Sequence, residues 1–344
     1  MESTLNRREY VSTLAAGSLL AATAQPGNAA ALPFPQRMFH KGKEPVSILG
    51  LGGSHIGGKN VSDADAIRIM RTALDNGITF FDNSWDYHNG RSEMLMGKAL
   101  RDGFRKKAFL MTKIDGRTKE SAKRQMDESL LRLQVDSIEL MQHHEVIRFD
   151  DVDRIFAADG AMEALVEAKQ AGKIRYIGFT GHKDPAIHLY MLEVAASRGF
   201  AYDSIQMPLN PLDAHYRSFE RKVLPIAQQK DIAVLGMKSL SSGLLLKSKA
   251  VTANECLRYA LSLPTTVVIT GIDSMEILQQ ALEIGRSFKP MSSDEVAKLL
   301  EKTKSAAVDG KFELFKTTSH YDTTSTHPEY LGGESARTIS MTAP

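Results

Sequence analysis

The sequence predicts an α/β fold: a single-domain (βα)8 TIM barrel followed by an extra C-terminal helix and a tail. Three observations predict it. Eight apolar, strand-like runs start roughly every 30 residues along the chain. The runs are continuous rather than alternating, the pattern of parallel strands covered on both faces. Between them lie stretches whose apolar residues recur at 3–4 spacing, as on one face of a helix. An open doubly wound sheet is the competing topology, but Gly50-Leu-Gly52-Gly53 after the first run lacks the third glycine of G-x-G-x-x-G.

In chain order, residues 1–31 read as a processing segment rather than fold. Arg7 and Arg8 precede an apolar run from Val11 to Ala24. That run is about 14 residues, short of the ~20 that span a bilayer. Asn28-Ala-Ala-Ala31 offers a small-residue cleavage site. The pattern resembles a twin-arginine export signal, so a periplasmic or exported location is expected, with membrane contact only through the export machinery. If the signal is unused, the protein stays cytoplasmic.

Residues 38–306 hold the barrel pattern. Met38 to Val46 reads as a small hairpin turning through Lys41-Gly42-Lys43. The eight runs are 47–51, 78–81, 108–111, 138–141, 174–179, 204–207, 232–235 and 266–270. In 119–133 the apolar positions Ala122, Met126, Leu130 and Leu133 define a helix face. Asp184-Pro185 places a cap before a first-turn proline and opens a helix over 186–197. Residues 144–160 form a long connection rich in Asp150, Asp151 and Asp153, a substrate loop or a solvated connector. Ser292-x-x-Glu295 is a capping box for an extra helix to about Ala306. The tail, 307–344, is rich in Thr, Ser and Gly beyond Gly310 and lies over the barrel or is partly disordered.

Composition narrows the function classes. The net charge is +2 with no long basic block, which argues against nucleic acid as a partner. The single cysteine, Cys256, excludes a disulfide framework and a four-cysteine metal site. It lies in an apolar helical pattern and reads as a buried small hydrophobe.

The chemistry gathers at strand ends. The second run closes on Asp82, and Tyr87 follows on the next loop; the third ends in Lys113; the fourth ends His143-His144. The C-terminal mouth of a barrel is where such residues meet. An ammonium near a Tyr favours phenolate and would lower its pKa toward a working acid. Asp82 would pair with Lys113, and a His beside the Tyr would donate to a substrate oxygen.

This set resembles the tetrad of the aldo-keto reductase family, with the family's His falling on His144; the resemblance covers about 38–306. It implies an NAD(P)-dependent oxidoreductase that moves hydride between nicotinamide and an aldehyde, ketone or sugar carbonyl. Tyr87 would be the acid, Lys113 and Asp82 would tune it, and His144 would orient the carbonyl. Cofactor contacts carry over in part. Gly52, Gly53 and Asp82 match the first strands. Thr180 keeps a hydroxyl where the family has Ser, and His182 stands in for a missing Asn. Gln206 matches the family's Gln. Met237 replaces the aromatic that stacks on nicotinamide, followed by Lys238, which could meet the pyrophosphate, then Ser239 and Leu240. Around Gly271 to Gln280 the basic residues expected to hold a 2′-phosphate are missing, and Asp273 adds a like charge. NADP is the family default; this departure makes NAD plausible.

Two other readings compete. A metal-dependent sugar isomerase would use His143, His144, Glu145, Asp82 and Glu93, but adjacent histidines on a strand face opposite ways. A regulatory barrel would keep the cofactor and turn over little. The substrate itself and the oligomeric state are not legible.

Overall fold

The computed structural model describes residues 33–39, 42 and 44–333. The expected export signal and the last part of the tail lie outside the described residues.

Ten strands form two sheets. An antiparallel hairpin pairs β1 (Gln36–Phe39) with β2 (Glu44–Ser47). The other eight close into a parallel barrel: β3 (Leu49–Gly52), β4 (Phe80–Asp82), β5 (Phe109–Ile114), β6 (Ile138–His143), β7 (Ile174–Thr180), β8 (Ser204–Pro208), β9 (Ala233–Met237) and β10 (Val267–Gly271). Closure comes from β10 pairing β3, Val268 opposite Leu49. All eight expected runs are strands. Several continue past their apolar stretch into the polar residues at the C-terminal end, so Asp82, Lys113, His143 and Thr180 are still in strand. That extension fixes these side chains on rigid backbone.

Two apolar layers hold the barrel. Its interior is filled by residues such as Phe80, Phe109, Met111, Leu140, Leu235 and Val267. Phe39 of the hairpin plugs the N-terminal end, its ring 4.8 Å from Phe109 and 5.1 Å from Tyr176. The outer layer lies between strands and helices; in the helix Lys119–Leu133 it takes Ala122, Met126 and Leu133. Burial of such side chains is worth about 1.5–3 kcal/mol each. Cys256 is buried, as its pattern implied. Among the described residues, no helix is long and apolar enough to cross a membrane.

The connection after β6 differs from expectation. It contains a helix, Phe149–Ile155, and Asp151 is fully buried. Asp151 accepts from the backbone N–H of Ile147 and Arg148 (3.1 and 3.0 Å) and pairs with Arg117 (3.1 Å). A carboxylate capping a first turn explains why an acid-rich stretch is ordered rather than solvated.

The capping box Ser292–Glu295 opens a helix over Ser293–Thr303. Beyond it the chain crosses the barrel mouth in short turns, Leu314–Thr317, Thr323–Thr326 and Pro328–Leu331. Buried polar anchors hold it. Lys316 donates to Asp213 (2.6 Å) and Glu313 (3.0 Å) with all three side chains out of solvent. Glu145 accepts from the N–H groups of Thr323 and Thr324 (3.0 and 2.9 Å). Arg117 N–H donates to the Leu331 carbonyl at 2.8 Å.

Candidate active site

Asp82, Tyr87, Lys113 and His144 meet at the C-terminal mouth. Lys113 is 1% exposed and ion-pairs with Asp82. Its ammonium also donates to the Asn83 carbonyl (2.6 Å) and to Tyr87 Oη (3.4 Å), and lies 4.8 Å from the Tyr87 ring centroid. Asp82's second oxygen accepts from Gln206 Nε2 at 2.9 Å. A buried ion pair supported in this way has its remaining hydrogen-bonding capacity met. The Tyr87 and His144 rings stand edge to face, centroids 5.6 Å apart. His144 Nδ1 faces Asp115 Oδ1 (2.9 Å), Ser84 Oγ (3.2 Å) and Asp86 Oδ1 (3.3 Å).

The electrostatics correct one expectation. Tyr87 is not made more acidic. Burial, then the carboxylates of Asp82, Asp86, Glu145 and Asp115, raise its pKa well above the ordinary value. Lys113 divides its charge among Asp82, a carbonyl and the phenol, while four acids disfavour phenolate. Burial lowers the pKa of His144, against the pull of Asp86 and Glu145. Burial lifts Asp115 to about 7 and raises Asp86.

Two cavities adjoin at this cluster. The first, about 230 Å³, runs from Tyr87 and Asp82 past Gly52, Gly53, Gln206, Ser239 and Leu240 to Gly271 and Ile277. The second, about 360 Å³, is lined by Tyr87, Lys113, His144, Glu145, Thr180 and His182, among others. Tyr87, Met237 and Lys238 border both.

The first cavity suits a nicotinamide dinucleotide. Gln206 Oε1 is buried without a partner, an acceptor fit for a carboxamide N–H. The Ser239 hydroxyl is also buried and unpartnered, a donor for phosphate oxygen. Gly271 packs so closely on the His55 ring that a Cβ there would collide with it.

Three expected cofactor residues are placed otherwise. Thr180 and His182 line the second cavity rather than the first. His182 Nδ1 bonds to the Phe315 carbonyl of the tail at 3.1 Å. Lys238, held with φ 53°, sets its ammonium over the rings of Phe315 (5.3 Å) and Tyr321 (5.1 Å). Gln280 lines neither cavity; it is half-buried on the helix Met275–Arg286.

The residues suggested for a sugar isomerase do not converge. Glu93 accepts from Thr112 (2.6 Å) and meets Arg132, and the His143 ring packs edge-on to Tyr202. A different trio, Asp86, Asp115 and His144, brings its ligand-type atoms within 4.8 Å. There the His144 nitrogen is already engaged in hydrogen bonds to the acids.

Sequence reasoning missed Ser54 and His55 after β3, Asp86, Asp115, and Tyr321 of the tail. Asp115 had a signal: it lies two residues beyond Lys113, the spacing of one strand face. Tyr321 had none beyond being aromatic in a Thr-rich tail.

A family model described as "Aldo/keto reductase family" matches residues 48–255. Over 218 residues the chain is 31% identical to L-galactose dehydrogenase of Arabidopsis thaliana, covering 58% of this chain and 63% of that protein. It is 32% identical over 235 residues to uncharacterized oxidoreductase YrpG of Bacillus subtilis (strain 168), covering 62% and 69%. The chain thus spans less than two thirds of the first protein's length. Among solved structures, aldo-keto reductase AKR11C1 from Bacillus halodurans (apo form) matches with TM-score 0.62 at 25% identity, over 80% of this chain and 99% of that one.

Proposed function

The chain belongs to the aldo/keto reductase family, and from that premise we propose that it transfers hydride between a nicotinamide cofactor and a small carbonyl compound. One observation carries this reading: Tyr87, the proton-donor candidate, stands at the junction of a dinucleotide-shaped cleft and a polar substrate cavity.

Gln206 and Ser239 would hold the cofactor, and the bound cofactor supplies the hydride. Tyr87 gives its proton to the carbonyl oxygen. Its raised pKa does not oppose this, because an alkoxide is more basic than a phenolate. A fully protonated Tyr is ready at every working pH. Lys113, fixed by Asp82, keeps the phenolate that remains from being an unpaired buried charge.

We further propose that NAD binds at least as well as NADP. The wall of the first cavity near Gly271 and Ile277 carries no Lys or Arg, and Lys238 is engaged with two aromatic rings. A 2′-phosphate calls for charge-assisted partners.

The test is purified protein with NADH or NADPH and a panel of aldehydes, ketones and sugars, followed at the cofactor absorbance. Turnover supports the reading. Cofactor binding with no turnover on any carbonyl, or on any alcohol in reverse, would replace it with a regulatory barrel.

A further inference from the structure

His144 offers two different edges. Nδ1 faces the protein, with Asp115, Ser84 and Asp86 around it. Asp115 is fully buried, and the Asp86 side chain is 4% exposed. An ionised carboxylate only accepts hydrogen bonds. Two of them around one ring nitrogen hold the imidazole proton there, because the partner of one nitrogen selects the tautomer. Nε2, on the opposite edge, keeps a lone pair for the cavity. His182 repeats the arrangement. Its Nδ1 meets a backbone carbonyl, which can only accept, so Nδ1 carries the proton. Its Nε2 is buried, belongs to a side chain lining the same cavity, and has no partner among the described residues. Burial keeps both imidazoles neutral. Neither ring then donates to a carbonyl oxygen; both accept from O–H.

The remaining wall agrees. Met237 is the sole aliphatic side chain around this cavity among the described residues. Lys238 has no hydrogen bond or ion pair among them and leaves an ammonium donor beside the two acceptors. A hydroxyl both donates and accepts, so a chain of hydroxyls satisfies such a wall, and an apolar carbonyl leaves it unpaired.

We propose that His144 and His182 meet the ligand as acceptors, and that the substrate is a polyhydroxylated carbonyl with a hydroxyl on the carbon next to the carbonyl. That hydroxyl donates to His144 Nε2 while Tyr87 serves the carbonyl oxygen; Asp115 and Asp86 are positioning residues that set the tautomer. The proposal rests on the reading of Tyr87 as the proton donor. It has a pH signature. His144 faces Asp86, Asp115 and Glu145, and the cations Lys113 and Arg117. With Asp115 pushed up to about 7, the clamp is fully ionised only above neutrality. Selectivity for the hydroxylated carbonyl therefore grows as pH rises through 7.

Two measurements decide it, both on the full chain. Long-range ¹⁵N–¹H spectra of the histidine rings give the tautomers directly, with or without turnover. The proposal expects the Nδ1–H form for His144 and His182, and a change at His144 alone in Asp115→Asn. An Nε2–H form of His144 in the unmodified protein overturns it. So does a divalent ion found bound to His144 Nδ1. The second is the ratio of kcat/KM for glyceraldehyde over 3-hydroxypropanal, which lacks only the 2-hydroxyl. A ratio of about tenfold or more is expected, falling to within about threefold in Asp115→Asn. Because the ratio is taken within one variant, loss of folded enzyme cancels. If Asp115→Asn does not fold, Asp86→Asn takes its place. Equal rates for the two aldehydes in the unmodified enzyme overturn the proposal and leave the proposed hydride transfer standing. Failure to reduce any carbonyl removes that function, and the spectra still decide the tautomer.

Discussion

Gln206 Nε2 donates to Asp82 Oδ2 at 2.9 Å, tying the end of β8 to the end of β4 across the barrel mouth. The bond fixes which way the amide points. With its nitrogen committed, Gln206 presents its oxygen, unpartnered, to the cofactor cleft. The same bond joins cofactor recognition to the ion pair beside the proton donor.

The first prediction concerns that donor. Tyr87→Phe keeps the ring and removes the hydroxyl, so reduction should slow by roughly 10²–10⁴-fold while cofactor affinity is unchanged. The pH dependence has a definite sign. The acid form is needed, and the pKa is raised, so ionisation of Tyr87 lies above its ordinary value near ~10. No alkaline loss of reduction rate from this group should occur below about pH 10. A Phe variant of near-normal rate would assign the proton elsewhere.

Lys113→Met leaves Asp82 buried without its countercharge. Removal of one member of a buried pair costs about 3–5 kcal/mol. Urea unfolding should show this loss, and a much smaller one when the change is made in an Asp82→Asn background. Additive effects of the two substitutions would mean the pair is not coupled.

Cofactor choice is read by quenching of protein fluorescence with NADH and NADPH. NADH should bind at least as tightly. A dissociation constant for NADPH ten times lower, a gap of ~1.4 kcal/mol, would reveal basic partners for the phosphate. Gln206→Leu should weaken both cofactors alike, since the amide oxygen is aimed at a part they share.

We propose that residues 1–31 direct export through the twin-arginine route. Replacing Arg7 and Arg8 with Lys should leave the precursor in the cytoplasm, seen by fractionation and blotting. Unimpaired export of the double variant removes that assignment and leaves the enzyme reading untouched.

The barrel was legible because each strand is a continuous apolar run and each helix face recurs at helical spacing, signals that are local. Asp82, Tyr87, Lys113 and His144 were legible because each sits at or just beyond a strand end in chain order. Other features depend on distant partners. The helix Phe149–Ile155 is stabilised by Asp151 meeting Arg117, 34 residues earlier. The direction of the Tyr87 shift comes from acids on three separate loops and was read backwards when only Lys113 was weighed. Lys238 and His182 were drawn away from the cofactor cleft by Phe315, an aromatic in a tail with no periodicity to place it.

The tail crossing the mouth has a consequence for how the protein can change. Its residues Tyr321 and Thr323 wall the substrate cavity, while the proton donor and its ion pair belong to strand ends. Choice of substrate and the chemistry performed on it are thus encoded in separate stretches of chain. Grafting a different segment onto the barrel after residue 313, with the Lys316 and Glu145 anchors kept, would retune what enters without disturbing what is done to it. A lineage could diversify its substrates by drift in about twenty residues of a single connection.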